Sequence, residues 1–251
     1  MTGAHVEPSS VVRVRRHPPR PFPCDFYNSL LEGGVPLVRL LGRPLERSGY
    51  EVSTAEYLRP GLVSQESYVS LLTALHSAPV ERSGAPEWDW LERTANDLRE
   101  SRGVHVEPLS EVFDRVKCRL GRVGTGRVSG LHGDPHPDNI GFASDGRAKW
   151  FDLDDICVGP VAWDWSSAIF IARRFENHRW DLDHLACAAQ QDCGGPAPDA
   201  VLDEMVTLRE LNLLLAGFRL LDQRHHTELL HRVRTLQDGD REARWTLIDD
   251  L

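Results

Sequence analysis

The sequence predicts an α+β fold in two lobes, a small N-terminal lobe rich in β-strands and a larger, mainly helical C-terminal lobe. Short runs with strand-like alternation lie before residue 58, whereas apolar residues recur at helical spacing over much of the chain after it. We therefore place the lobes at residues 1–58 and 59–251. A polar loop followed by a β-hairpin near the middle of the chain indicates where the chemistry lies.

Each lobe is predicted from local patterns. The N-terminal elements are strands over residues 11–15, 35–41 and 50–58 and a helix over residues 24–32. In the first strand, Arg13 and Arg15 share one face because side chains alternate. The C-terminal helices cover residues 64–76, 86–102, 108–120 and 161–175, with two or more between 181 and 236. Ser64 is the expected N-cap of the first of these helices.

The central stretch is residues 131–155, with the sequence LHGDPHPDNIGFASDGRAKWFDLDD. A polar loop over residues 132–139 precedes a predicted strand over residues 140–143. A second strand, ending at Asp152, follows a turn that contains Asp-Gly. Asp-Gly between two apolar runs is typical of a hairpin, because the turn requires positive φ and glycine tolerates it.

A hairpin brings its two ends together, so Asp134, Asn139 and Asp152 are expected at one end of it. Two carboxylates and an amide oxygen suit a hard divalent cation that keeps several waters and carries phosphate. Phosphoryl-transfer enzymes of the protein-kinase type use an Asp to orient the acceptor hydroxyl and an Asn five residues later for Mg²⁺. A further Asp, beyond a hairpin, bridges metal and phosphates. The three residues have this spacing.

At this point the sequence resembles the aminoglycoside phosphotransferase and choline kinase-like family, which has a protein-kinase-like two-lobe fold. HGDPHPDN is similar to the catalytic loop of that family, and WFDLDD is similar to its metal-binding segment. Asp164 resembles the family Asp that opens the next helix and supports the catalytic loop. His132 is assigned a supporting role as well.

The resemblance implies an O-phosphotransferase that uses ATP, or another nucleoside triphosphate, with Mg²⁺. Asp134 would be the catalytic residue, and Asn139 and Asp152 would be the metal ligands. The acceptor would be the hydroxyl of a small molecule such as an aminoglycoside, an amino sugar or choline.

The second half of the N-terminal lobe resembles the last strands of the family's small lobe and the linker that follows them. The backbone at Glu56, Tyr57 and Leu58 would then hydrogen-bond the adenine edge. A plain pair of strands is compatible with the same residues.

The small lobe departs from the family in its phosphate-binding elements. About 55 residues precede the linker, and no Gly-rich hairpin that could cover the phosphates is visible among them. The only lysines are Lys117 and Lys149, so the lysine that grips the phosphates in this family is missing. Arg13 or Arg15 is the candidate replacement, although a guanidinium fork differs from a point charge.

The sequence leaves the acidic partner of these arginines open. Asp25 and Glu32, on the short helix, are the candidates for that pairing. Alternatively, Arg15 and Arg16 form a solvated basic turn.

Two other functions remain open at this stage. A degenerate, non-catalytic relative would bind nucleotide or a partner without transferring phosphate, and the missing lysine favours it. A transition-metal hydrolase would use the alternating His132, Asp134 and His136 as ligands. Asp134 or Asp138 could also merely cap a turn.

Composition limits which binding partners and which cellular compartment we expect. The net charge of −9 argues against general binding of nucleic acid or anionic membranes and leaves room for a cationic substrate. The five cysteines are scattered, so a disulfide framework is not expected. The N-terminus lacks the apolar stretch of a signal peptide, and we expect a cytoplasmic protein.

Overall fold

The computed structural model describes residues 9–16, 21–80, 84–103, 106–175, 180–194 and 198–248. The chain divides into two compact units. The first combines Met1–Pro86 with His132–Cys157, and the second combines Glu87–Leu131 with Val158–Leu251. The central loop and hairpin therefore belong to the same unit as the N-terminal strands. The division into lobes after residue 58 stays a prediction.

Strands and helices are interspersed in the first two thirds of the chain, and helices fill the last third. The strands are β1 (Ser10–Arg16), β2 (Leu45–Arg47), β3 (Tyr50–Glu56), β4 (Val128–Leu131), β5 (Ile140–Phe142), β6 (Ala148–Trp150) and β7 (Cys157–Pro160). The helices are α1 (Cys24–Glu32), α2 (Gln65–Ser77), α3 (Trp90–Glu100), α4 (Val106–Val123), α5 (Val161–Arg174), α6 (Leu182–Cys193), α7 (Pro198–Leu220) and α8 (His226–Asp238). Short 3₁₀ turns lie at Pro137–Asn139 and Gln223–His225.

In the first unit, β1 and β2 flank β3 in an antiparallel sheet. The turn between β2 and β3 contains Ser48 and Gly49, with φ angles of 52° and 80°. Positive φ at both positions matches the right-handed twist of the two strands it joins. In β1, Val12 and Val14 are exposed, and they alternate with Arg13 and Arg15, which are half-buried. The register places Arg15 directly opposite Glu51 of β3.

The prediction of a strand over residues 35–41 is wrong. Leu37 forms an isolated parallel bridge with Trp150, whereas Leu40 forms an isolated antiparallel bridge with Ala55. The segment therefore crosses from the central hairpin to the sheet and pairs with neither of them along its length. The strand that pairs with β3 at this edge is β2, which the sequence reasoning missed because its side chains are exposed throughout.

The central hairpin is confirmed, with shorter strands than predicted. Ile140 pairs with Trp150, and Phe142 pairs with Ala148. Gly146, with φ of 82°, turns the chain between the two strands. The second strand ends at Trp150 and does not reach Asp152, because Asp152 has a left-handed φ of 56° that a strand cannot accommodate.

The helices of the second unit follow the predicted periodicity, with differences at their ends. α3 begins at Trp90 and not at residue 86, because Glu87 and the amide of Trp88 pair with Val158 in an extended conformation. Trp90 then stacks on Trp163, with ring centroids 5.0 Å apart. All five cysteines are free. Among the helices in the described residues, none is both long and apolar enough to span a membrane.

A buried ion pair holds the C-terminal part of the second unit. The side chains of Arg174 and Glu210 are 3% and 2% exposed, and Nε and Nη2 of Arg174 both donate to the carboxylate. Nη1 of Arg174 donates to the carbonyl oxygens of Asp240 and Ala243, which follow α8. One guanidinium thus joins α5, α7 and the segment after α8.

Replacing Glu210 by Gln should lower the free energy of unfolding by about 3 kcal/mol or more, because it leaves the charge of Arg174 buried without a counter-ion. Urea unfolding followed by circular dichroism measures the change. The matched control is Asp145→Asn, which removes the carboxylate of the exposed ion pair with Arg147 and should leave the midpoint nearly unchanged. Equal midpoints for the two variants would contradict a structural role of the buried pair.

Candidate active site

The loop before β5 is tied to the end of the hairpin through His132. This side chain is 1% exposed, and its ring lies 4.9 Å from that of Trp150, centroid to centroid. The amide of Asp134 donates to Nδ1 at 3.3 Å, which leaves Nε2 to donate to the carbonyl of Phe151 at 2.9 Å. Both ring nitrogens are therefore hydrogen-bonded to main-chain groups, and neither remains to bind the metal of a hydrolase.

Asn139 makes the second connection between the loop and the hairpin. Its side-chain nitrogen donates to the carbonyl of Asp134 at 2.9 Å, and its own carbonyl accepts from the amide of Phe151 at 2.9 Å. The residue is 5% exposed. Because the amide nitrogen is used inside the loop, the amide oxygen is the atom that remains available to a cation.

Gly133 lets the loop pass close to the segment after β6. Its φ is 88°, and a Cβ built on it would lie 2.2 Å from the carbonyl oxygen of Asp155. Tyr68 of α2, which is fully buried, donates its hydroxyl to the carbonyl of Pro135 from another direction. The main chain of the loop is thus fixed at several points.

Asp134 presents its carboxylate at the surface of this fixed loop. Its side chain is 47% exposed, and one of its oxygens lies 3.8 Å from Nε2 of His136. Asp138, four residues later, is almost fully exposed. Of the two carboxylates, Asp134 is the one whose backbone is held by both His132 and Asn139.

Asp152 lies directly after Phe151, the residue that both His132 and Asn139 contact. The structure therefore brings Asp134, Asn139 and Asp152 to the same end of the hairpin. The left-handed φ of Asp152 is one that Asp adopts more readily than most residues. Its Oδ1 lies 2.8 Å from Nη1 of Arg13.

Arg13 and Arg15 of β1 face acidic residues of this unit. Arg13 forms a bidentate pair with Asp154, at 2.9 and 2.8 Å, in addition to its contact with Asp152. Arg15 contacts Asp154 at 2.8 Å and donates from Nε and Nη2 to Glu51. We call these five residues, Arg13, Arg15, Glu51, Asp152 and Asp154, the β1 charge network.

The β1 charge network corrects two expectations. Arg15 is not part of a solvated basic turn, because its side chain is only 16% exposed. Burial works against its charged form, but Asp154 and Glu51 outweigh it and raise the pKa of Arg15 above its ordinary value. Asp25 is not the acidic partner, since it pairs with Arg43 in an exposed contact, and Glu32 lies exposed at the end of α1.

A cavity of about 360 Å³ lies between the N-terminal sheet and the segment after β6. Both arginines and both aspartates of the β1 charge network line one part of it. The other lining residues are mainly apolar and include Val11, Val38, Leu40, Leu58, Phe151 and Leu153. An apolar cavity that also presents a cluster of charged side chains suits a ligand with a flat apolar part and a charged part.

The predicted linker borders this cavity. The amide of Glu56 donates to the carbonyl of Arg39, and the amide of Tyr57 donates to the carbonyl of Ser9. No hydrogen bond from the amide of Leu58 to another described residue is found. Arg59 and Phe142 then exchange two main-chain hydrogen bonds, which anchor the linker to the hairpin. The amides of Glu56 and Tyr57 are therefore already bonded within the protein.

Asp164 belongs to the second unit, where it lies fully buried in the first turn of α5. Its role in supporting the catalytic loop stays a prediction.

The sequence reasoning missed Asp154 and Glu51. Glu51 could have been found by aligning the two antiparallel strands, since it lies directly opposite Arg15. Asp154 follows Asp152 by two residues, but no pattern within the sequence connects it to β1, which lies more than a hundred residues away.

The chain resembles known proteins in its sequence and in its fold. A model of a phosphotransferase enzyme family matches residues 24–201. An amicoumacin kinase in complex with AMP-PNP and Ca²⁺ superposes with a TM-score of 0.70 at 14% identity, covering 93% of this chain and 83% of that one. A microcompartment-associated aminopropanol kinase gives 0.64 at 18% identity, covering 91% and 83%.

A choline kinase from Streptococcus pneumoniae superposes with a TM-score of 0.66 at 14% identity, covering 92% of this chain and 86% of that one. No curated protein sequence matches the chain significantly. The predicted fold class, α+β and protein-kinase-like with a small sheet lobe, is confirmed.

Replacing Gly133 by Ala should lower the free energy of unfolding by more than the same change at Gly146. Both glycines have φ above 80°, so both variants suffer a similar conformational penalty of about 1 kcal/mol or more. Only at Gly133 does the added methyl also collide with a main-chain carbonyl, whereas the surroundings of Gly146 are open. Urea unfolding of the two variants isolates this steric part. Equal losses would show that the loop can move away from Asp155 at no cost.

Proposed function

Because the chain belongs to the phosphotransferase enzyme family, we propose that it transfers the terminal phosphoryl group of a nucleoside triphosphate to a hydroxyl of a small molecule. The observation that carries the proposal is the placement of Asp134, Asn139 and Asp152 at one end of a hairpin whose following segment lines the 360 Å³ cavity. A loop fixed by main-chain hydrogen bonds holds its groups in place before the reaction, which is what phosphoryl transfer requires of an enzyme.

The cavity would hold the nucleotide, with its base at the apolar part. The amide of Leu58, for which no acceptor is found among the described residues, supports a hydrogen bond to the base, and the neighbouring backbone of Glu56 and Tyr57 would border it. The phosphates would then lie toward Arg13 and Arg15, which take the place of the missing lysine. Planar guanidinium groups bind phosphate oxygens in pairs, so two arginines suit this position.

The side-chain oxygens of Asn139 and Asp152 fit Mg²⁺. Both are hard oxygen donors, and a site with few protein ligands is typical of an ion that keeps waters and binds substrate phosphates. When bound, Mg²⁺ neutralises charge on the phosphates.

Asp134 would receive the proton of the acceptor hydroxyl. In the transfer, a bond forms between the hydroxyl oxygen and the terminal phosphorus, and the bond from that phosphorus to the bridging oxygen breaks. The nucleoside diphosphate leaves with the electron pair of the broken bond. The half-exposed carboxylate of Asp134, on a loop fixed from both sides, supports this role.

Two observations support a small, hydroxylated and cationic acceptor. The similar solved structures are kinases of amicoumacin, aminopropanol and choline. The net charge of this chain is −9, which favours the approach of a cation. Amino sugars, aminoglycosides, amino alcohols and choline are therefore the acceptors to test first.

Replacing Asp134 by Asn should reduce phosphoryl transfer by at least about a hundredfold, because the hydroxyl proton loses its acceptor. The measurement is transfer from ATP with Mg²⁺ across the acceptors named above. The matched control is Asp138→Asn, which removes a carboxylate from the same loop that is almost fully exposed and should leave transfer unchanged. The increase in melting temperature on adding Mg-ATP should persist in both variants.

Transfer that survives in Asp134→Asn would contradict the role of Asp134. A stabilisation by Mg-ATP without transfer to any acceptor would favour the non-catalytic relative, which the missing lysine and the pairing of Asp152 with Arg13 make the second candidate.

A further inference from the structure

Asp152, the proposed metal ligand, already has a cationic partner within the protein. Nη1 of Arg13 lies 2.8 Å from Oδ1 of Asp152 and donates to Oδ1 of Asp154 at 2.9 Å. Nη2 of the same guanidinium donates to the other oxygen of Asp154 at 2.8 Å. A divalent cation on Asp152 would therefore share its carboxylate with the guanidinium of Arg13.

Arg13 and Arg15 differ in how firmly they are held. Arg15 is 16% exposed and bonds Glu51, which is buried and also accepts from the amide of Phe22. Arg13 is 42% exposed, and the two aspartates it contacts are 41% and 30% exposed. Arg15 is thus part of the framework of the sheet, whereas Arg13 is the member of the β1 charge network that can exchange partners.

The charges around Asp152 affect a free divalent cation and a nucleoside triphosphate in different ways. A free divalent cation would meet repulsion from Arg13 and compete with it for the carboxylate. A nucleoside triphosphate brings phosphate oxygens that a guanidinium binds well, so Arg13 gains a new partner at the moment when Asp152 must accept the metal. Asp154, bound to both arginines, keeps the guanidinium groups next to this position.

We propose that Arg13 makes cation binding at Asp152 depend on the nucleotide: it opposes a free divalent cation and favours the cation–triphosphate complex. This inference rests on the proposed function, since it takes the cavity as the nucleotide site. The coupling is reciprocal by thermodynamic linkage, so the metal strengthens triphosphate binding through the same exchange of partners.

The test is the binding of Mn²⁺, measured by electron paramagnetic resonance on the full chain with and without ATP. In Arg13→Gln, the affinity for Mn²⁺ alone should rise about tenfold, because a positive charge next to the ligand is removed. The affinity for Mn-ATP should fall about tenfold, because a phosphate partner is lost. The matched control is Arg147→Gln, which removes an arginine from an exposed ion pair on the β5–β6 turn and should change neither affinity.

A rise in the affinity for Mn²⁺ alone together with a fall in the affinity for Mn-ATP supports the inference, since a merely structural role of Arg13 would weaken the binding of both. Unchanged or weaker binding of Mn²⁺ alone in Arg13→Gln overturns it, even if wild type binds Mn-ATP as the proposed function requires. In Arg13→Gln with Asp152→Asn, the gain should vanish, and a gain that persists overturns the inference by placing the cation elsewhere. Failure of wild type to bind Mn-ATP at all would overturn the proposed function together with it.

Discussion

The two main-chain groups of Phe151 hold the candidate active site together. The carbonyl accepts from the ring of His132, and the amide donates to the carbonyl of Asn139. These two bonds lie on either side of Asp134 in the sequence, and Asp152 follows Phe151 directly. One peptide segment thereby sets the positions of the proposed proton acceptor and of both proposed metal ligands, and all three would move apart if its hydrogen bonds were lost.

The β1 charge network holds Arg13 and Arg15 next to the segment that follows the hairpin. Two arginines on one strand are held by Glu51 from the neighbouring strand and by two aspartates after the hairpin. Arg15 is 16% exposed and bonded to a buried glutamate, whereas Arg13 is 42% exposed, so the strand combines a firmly held cation with a more accessible one. A single lysine could not replace this pair of cations, because one ammonium group is a point charge without the planar set of donors that each guanidinium has.

Local patterns predicted much of the fold. The helix over residues 24–32 has the predicted bounds, and the N-cap at Ser64 accepts from the amide of Ser67 as expected. The Asp-Gly turn predicted the central hairpin, since the φ angle that the turn needs depends on the turn residues themselves. The prediction failed where pairing with distant segments determines the structure. Residues 35–41 have a strand-like composition but divide their main-chain bonds between the central hairpin and the N-terminal sheet.

The sequence by itself determined the hairpin, the order of the helices and the spacing of Asp134, Asn139 and Asp152, because short-range periodicity and turn chemistry depend on neighbouring residues. Only the tertiary structure decided which acids face Arg13 and Arg15 and which linker amides are bonded within the protein. Those contacts join residues that are far apart in the chain, and their distances depend on strand register and on the path of the backbone. Asp154 shows the difference, since its chemistry is plain in the sequence and its partners are not.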